Sequence, residues 1–169
     1  TQHGSSSVKP VSVDGGTLFI ESSGKVIRQF LFNELERSYN AQSISLLSSQ
    51  LIRTPVAMAV RQSREESPAD YVYVVNSDGT IAVLNVLRNE QLLAWSLFET
   101  NGVVEDLVVV VRDVYLVTRR TINGVTKRFI EKLDRNYLLE AGKKVTSLIP
   151  ITTFTGFNHL ASENVKVRA

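Results

Sequence analysis

The 169-residue chain contains no cysteine. Disulfides, thiolate metal sites and cysteine nucleophiles are therefore excluded, and the fold must stand on packing alone. Histidine is scarce as well: His3 lies in a Ser-rich opening stretch, and His159 stands far along the chain from any obvious partner. Neither a metal centre nor a His-based triad can be assembled from such a pair. No Gly-rich phosphate loop occurs. No apolar run reaches the roughly 18 residues that a membrane-spanning helix needs, and the opening residues carry no basic-then-apolar secretory pattern. A large charge excess is also missing. Nineteen basic residues against 17 acidic ones leave +2, and the basic residues are scattered, whereas a nucleic-acid binder concentrates them on one face. What remains is ordinary for a globular domain, with 43% apolar and 21% charged residues, in a chain long enough for one real core.

Three stretches carry the same plan of strand, tight polar turn and strand. They are residues 17–30, 71–84 and 114–130, turning at Ser22-Ser23-Gly24, Asn76-Ser77-Asp78-Gly79 and Asn123-Gly124. Asp-Gly and Asn-Gly supply the positive φ that two-residue hairpins demand. Repetition at roughly 40- to 55-residue spacing predicts an all-β fold of propeller-like antiparallel blades. Residues 55–99 read as one complete four-stranded meander, with strands at 56–62, 71–76, 80–87 and 91–98. A second unit follows, with strands at 103–111, 114–121 and 125–133 and a turn at Arg112-Asp113. The run Val108–Val111, apolar at every position, predicts a strand buried on both faces. Residues 40–52 lack strict alternation, and Asn40 or Ser43 can cap one short helix there, ended by Arg53-Thr54-Pro55; an irregular connection is the alternative. Residues 1–10 are expected to be a flexible arm, 11–150 a partial propeller of about three blades, and 151–169 the start of a following, truncated β segment.

Chemistry-bearing candidates are few, and each has a plainer structural reading. Arg119-Arg120 and Lys127-Arg128 flank the Asn123-Gly124 turn, so this hairpin tip is a candidate contact for DNA phosphates or a neighbouring subunit. The plainer reading is a solubilising tip whose charges block stray strand pairing. Trp95, Tyr71 and Tyr73 are candidate stacking platforms for a sugar, or else core aromatics. Glu65-Glu66 and Glu105-Asp106 read as solvated turn or strand-start residues rather than a catalytic pair. Asn76-Ser77-Asp78-Gly79 lacks the remaining ligands of a calcium loop. No catalytic residue, metal or cofactor is expected, and the chain is not expected to be an enzyme.

Four segments together bring a family into view. They are 16–20 continuing into 26–30 and 39–45; Ser77-Asp78-Gly79-Thr80-Ile81-Ala82-Val83-Leu84 followed by Glu90-Gln91-Leu92-Leu93-Ala94-Trp95-Ser96; Ile122-Asn123-Gly124-Val125-Thr126-Lys127-Arg128-Phe129-Ile130-Glu131; and Phe154-Thr155-Gly156-Phe157-Asn158-His159-Leu160. In these the chain resembles the tail nozzle or tail-hub proteins of short-tailed bacteriophages and their prophage relatives, also described as packaged-DNA stabilisation or tubular tail proteins. The resemblance implies a virion structural protein with a propeller-like β domain, made in the host bacterial cytoplasm and resident in the virion tail. It implies a homo-oligomeric ring around the DNA exit channel, with other tail and portal-associated proteins as partners. The alternative from another class is a receptor- or carbohydrate-binding propeller module.

Overall fold

The computed structural model describes residues 3–13, 15–34, 36–63, 69–87, 90 and 92–134. They form eleven strands in three antiparallel sheets. Sheet I is the meander β1 (Val11–Val13), β2 (Gly16–Ile20), β3 (Ile27–Asn33) and β4 (Ser38–Ser43). Sheet II is the meander β5 (Pro55–Arg61), β6 (Asp70–Asn76), β7 (Ile81–Leu87) and β8 (Leu92–Phe98). Sheet III holds β9 (Val103–Val110), β10 (Asp113–Ile122) and β11 (Val125–Leu133) in the same sequential order. The all-β expectation is met, and in sheets II and III the strand limits agree with the sequence pattern to within a residue or two, whereas β1 and β4 were not expected and β3 runs on to Asn33. The predicted segment 151–169, with His159 and the 154–160 motif, lies outside the described residues, as does Glu65-Glu66.

Alternation sorts each strand's side chains between two interfaces. Val72 pairs with Leu84, which pairs with Trp95, so these three share one face of sheet II. Tyr73, Val83 and Ser96 share the other. The first face, with Val74, Ala82 and Val86, meets Val13, Leu18, Ile20 and Ile27 of sheet I. The second meets Val104, Leu107, Val114 and Leu116 of sheet III. Sheet II is thus covered on both sides, which is why β6 is apolar without a break from Val72 to Val75. Between sheets, first strand meets first strand: β1 touches β5, and β5 touches β9. The last strands, β8 and β11, are mostly exposed or half-buried.

Four expectations change. Residues 3–8 are not a free arm. Ser6 N–H donates to Ile20 O at 2.8 Å and Ser22 N–H to Gly4 O at 2.8 Å, while Val8 packs on the first core. Backbone pairing beside β2 holds this Ser-rich stretch despite its polar composition. The 40–52 region splits into strand β4 and a 3-10 helix, Leu46–Leu51. Asn40 is inside the strand, and Ser45, at the N-cap position, spends its hydroxyl elsewhere: it accepts from Ile27 N–H at 3.0 Å. The β9–β10 turn falls at Val111-Arg112, because Val110 pairs with Asp113. Val108, Val110 and Val111 are exposed, so β9 is buried on one face only. No further sheet covers its other face among the described residues.

A buried side chain helps to hold the connection between sheets I and II, beside bonds from Ser77 to Arg53 O and the Arg53–Asp78 ion pair. Asn76 is fully buried. Its Nδ2 donates to Leu51 O at 2.9 Å and Thr80 Oγ1 at 3.0 Å, and its Oδ1 accepts from Arg53 N–H at 2.9 Å. The β6–β7 turn thereby grips the chain that has just left sheet I. The same turn seats sheet III: Gly79 O accepts from Val104 N–H at 3.2 Å. A Cβ on Gly79 would stand 2.6 Å from Val103 Cγ1, and its φ is +85°, so only glycine suits this contact.

Candidate functional site

The basic hairpin tip is the first candidate, and strand alternation divides it. Arg119 pairs with Arg128 across β10–β11, and Arg120 with Lys127. The two pairs therefore face opposite ways. Arg120 turns inward and is 6% exposed. Its Nε and Nη2 donate to the two carboxylate oxygens of Glu131 at 2.6 and 2.8 Å, Nη2 also donates to Thr100 Oγ1 at 2.9 Å, and Nη1 donates to Asn101 O. This is a bidentate pair with further hydrogen bonds from both terminal nitrogens, the condition under which a buried cation is tolerated. Its effect is to bolt the 99–102 connection onto sheet III. Arg120 cannot reach a phosphate outside without dismantling that arrangement.

Arg119 and Arg128 point outward but share one carboxylate. Arg119 Nε donates to Glu105 Oε1 at 2.8 Å, and Arg128 Nε to Glu105 Oε2 at 2.6 Å. A bulge opposite Val117 and Thr118 makes this possible, since two residues of β9 there oppose one of β10. The hydrogen bond from Arg128, joined by that from Arg119, outweighs desolvation and holds the Glu105 carboxyl below its usual range. Reciprocally, Glu105 raises the Arg128 guanidinium. At the opposite end of the hairpin Lys132 is paired with Asp113 at 2.8 Å, whose hydrogen bond raises its ammonium. Of the four expected cations, Lys127 alone is exposed with no ion pair among the described residues. Glu105, read from sequence as a solvated strand-start residue, is the centre of the cluster.

The three aromatic candidates do not share a surface. Tyr73 is 4% exposed, inside the core between sheets II and III. Tyr71 lies on that same face, beneath the Arg61 guanidinium at 4.9 Å from its ring centroid. Trp95 is on the opposite face of sheet II and packs on the first core, with Nε1 donating to Ile44 O at 3.0 Å. The indole thus joins sheet II to the end of β4. Sugar-stacking platforms present an open ring face, and here the rings are spent on packing and backbone bonding.

Two surfaces that the sequence reading passed over stand at the ends of the stack. The outward face of sheet III carries Val108, Val110 and Ile130, 54, 52 and 80% exposed, with Tyr115 and Val117 among them. The outward face of sheet I carries Phe30, Phe32 and Tyr39. Tyr39 stacks on Phe30 at 5.0 Å and meets Phe32 edge-on at 5.1 Å. Period-two reading of β9 and β11 against their partners would have found the first, had Val108–Val111 not been read as buried on both sides.

Among the described residues no group of three or more His, Asp or Glu side chains could hold a metal ion, and no helix is long and apolar enough to cross a membrane. No family model and no curated protein sequence matches the chain. The class that the fold itself defines is a stack of antiparallel β-meander sheets.

Proposed function

We infer that this chain is a structural β module of a short-tailed bacteriophage or prophage tail, part of the nozzle or hub around the DNA exit channel. Its sheets would be consecutive blades of a propeller. The observation that carries the architectural part is the convergence of first strands: β1 meets β5 and β5 meets β9, while each sheet runs outward strand by strand. Such contacts support a reading as propeller blades, whose first strands would lie nearest a central axis. The tail assignment rests on the resemblance in 16–20, 26–30, 39–45, 77–84, 90–96 and 122–131, whose described residues fall on β2, β3, β4, the β6–β7 hairpin, β8 and the β10–β11 hairpin.

The work done is mechanical. Apolar faces clamped sheet to sheet give a stiff wall, and assembly needs repeated complementary patches rather than a reactive site. Arg119 and Arg128 share the Glu105 carboxylate and Arg120 is buried against Glu131, so three of the four cations are already engaged within the chain and the hairpin tip serves a neighbouring protein better than DNA. The test is negative-stain electron microscopy of the protein alone and with purified tail and portal-associated partners. Rings or short tubes with a central channel are expected. Compact single particles under every condition would overturn the reading.

A further inference from the structure

We propose that the tip of the β10–β11 hairpin is a site of spontaneous covalent modification: Asn123 loses its side-chain nitrogen as ammonia to attack by the backbone of Gly124, and becomes aspartate or isoaspartate. The inference is independent of the tail assignment.

The chain carries Asn-Gly-Val twice, at Asn101-Gly102-Val103 and at Asn123-Gly124-Val125. The intrinsic chemistry is therefore matched. The glycine N–H gives its proton to water or hydroxide, and its nitrogen attacks the asparagine Cγ. A C–N bond forms, the Cγ–Nδ2 bond breaks and ammonia leaves. Water then opens the resulting five-membered imide at one of its two carbonyls. Opening at Cγ restores the ordinary chain, now with aspartate. Opening at the main-chain carbonyl leaves the chain running through Cβ and Cγ, as isoaspartate. Glycine favours the attack because no Cβ obstructs the approach of its nitrogen.

The structure separates the two sites. Exposure does not, since both asparagines are exposed. At the first site the peptide is held from both sides. Gly102 N–H donates to Thr100 O at 2.8 Å, and Asn101 O accepts from Nη1 of the buried Arg120. Gly102 is also packed: a Cβ there would stand 3.0 Å from Arg119 O, Arg120 Cγ and Thr118 Cγ2. Ring closure turns the Asn-Gly peptide plane and needs the glycine nitrogen free. Here it requires the 99–102 connection to leave sheet III.

At the second site nothing holds the plane. Asn123 and Gly124 are the two turn residues between the paired Ile122 and Val125. Neither the Asn123 side chain nor Gly124 N–H makes a hydrogen bond among the described residues. Nothing lies within 4 Å of where a Gly124 Cβ would stand. Val125 to Arg128 are exposed, and a segment with few buried contacts opens locally at little cost.

The two products act differently on the hairpin. Aspartate tolerates the left-handed backbone as asparagine does, and it lowers the net charge of +2 by one unit. Isoaspartate adds a backbone carbon to a loop whose two-residue length sets the register of β10 on β11. That product frays the tip.

The experiment incubates the whole folded chain at mildly alkaline pH and body temperature, with a parallel sample in concentrated urea. Cleavage after Lys and Arg yields the peptides 121–127 and 89–112, and mass spectrometry with fragmentation assigns the change to each asparagine. In the folded protein Asn123 is expected to convert about tenfold or more faster than Asn101, which corresponds to one charge-assisted hydrogen bond broken before ring closure. In urea the two rates are expected to converge. An isoaspartate-directed methyltransferase is expected to label 121–127 from the aged folded protein and to leave 89–112 unlabelled. Equal rates in the folded protein, faster conversion at Asn101, a difference that persists in urea, or an Asn123 that converts only in urea would each overturn the proposal.

Discussion

Replacing Asn76 tests how the first two sheets are joined. Asn76→Ala removes three side-chain hydrogen bonds. Thr80 Oγ1 keeps a partner, since it lies 2.7 Å from Asp78 Oδ1. Arg53 N–H and Leu51 C=O lose theirs, at about 1–3 kcal/mol for each group left unmet in a buried setting. Arg53 is exposed and Leu51 half-buried, so water recovers part of this, and the expected loss is about 2–4 kcal/mol. With a urea slope of about 2 kcal/mol/M the unfolding midpoint falls by about 1–2 M. Asn76→Asp separates bonding from volume. It keeps the acceptor for Arg53 N–H but sets a buried carboxylate against Leu51 O. Its penalty should be at least as large at pH 7 and should shrink as acid protonates the new group. Equilibrium urea unfolding followed by Trp95 fluorescence measures both. An Asn76→Ala loss under about 0.5 kcal/mol, below the usual worth of one such bond, would refute the idea that this side chain fastens sheet I to sheet II.

Gly79→Ala should cost about 2–4 kcal/mol, combining left-handed strain with displacement of Val103; a thermal melt within a degree of wild type would contradict the close approach. Val111→Asn should stabilise by about 1 kcal/mol, because a β-branched residue sits at φ 59° with its side chain 80% exposed; an unchanged or lowered melting temperature would count against it. Asp78 gives a pH dependence. Desolvation pushes its carboxyl up, but the hydrogen bonds from Arg53 and Thr80 together win, and the net shift is downward from 3.8. A folded-state value below the unfolded one means that its contribution is whole above the unfolded pKa and lost as pH falls through the depressed folded value. Glu105 shifts the same way from 4.5. Melting temperature should hold level above about pH 5 and decline beneath it, less steeply in Asp78→Asn; identical slopes in both proteins would remove Asp78 from the account.

The strands of sheets II and III were legible because burial on a pleated surface leaves a period of two, β1 and the mostly polar β4 were not, and the hairpins were legible because Asp78-Gly79 and Asn123-Gly124 need positive φ. Gly79, Asn123 and Gly124 do adopt it, at 85°, 51° and 75°. The hairpin tip was misjudged although the signal was present: neighbours in a strand face opposite ways, so Arg119 and Arg120 could not both lie outward. Which of the two turned inward depended on Glu131 and the 99–102 connection, a tertiary matter. The β9 bulge was not legible. It places Glu105 between two arginines and carries no local composition cue. The Val111-Arg112 turn was missed for the related reason that cross-strand pairing of Val110 with Asp113 overrode turn preference. The inward role of Asn76 was hidden behind an ordinary Asn-Ser-Asp-Gly turn.

Each sheet is one uninterrupted length of chain, its strands joined in order by short reversals. On a ribosome, each sheet could close its ladder before the next had emerged, with loop closures that stay short and inexpensive in entropy. The first sheet would still have to wait, its inner face wet, until Asn76 and β6 arrived to cover it. The order of synthesis therefore sets an interval in which Leu18, Ile20 and Ile27 stand open to other chains. Protection of nascent protein would matter most there, before the second meander is complete.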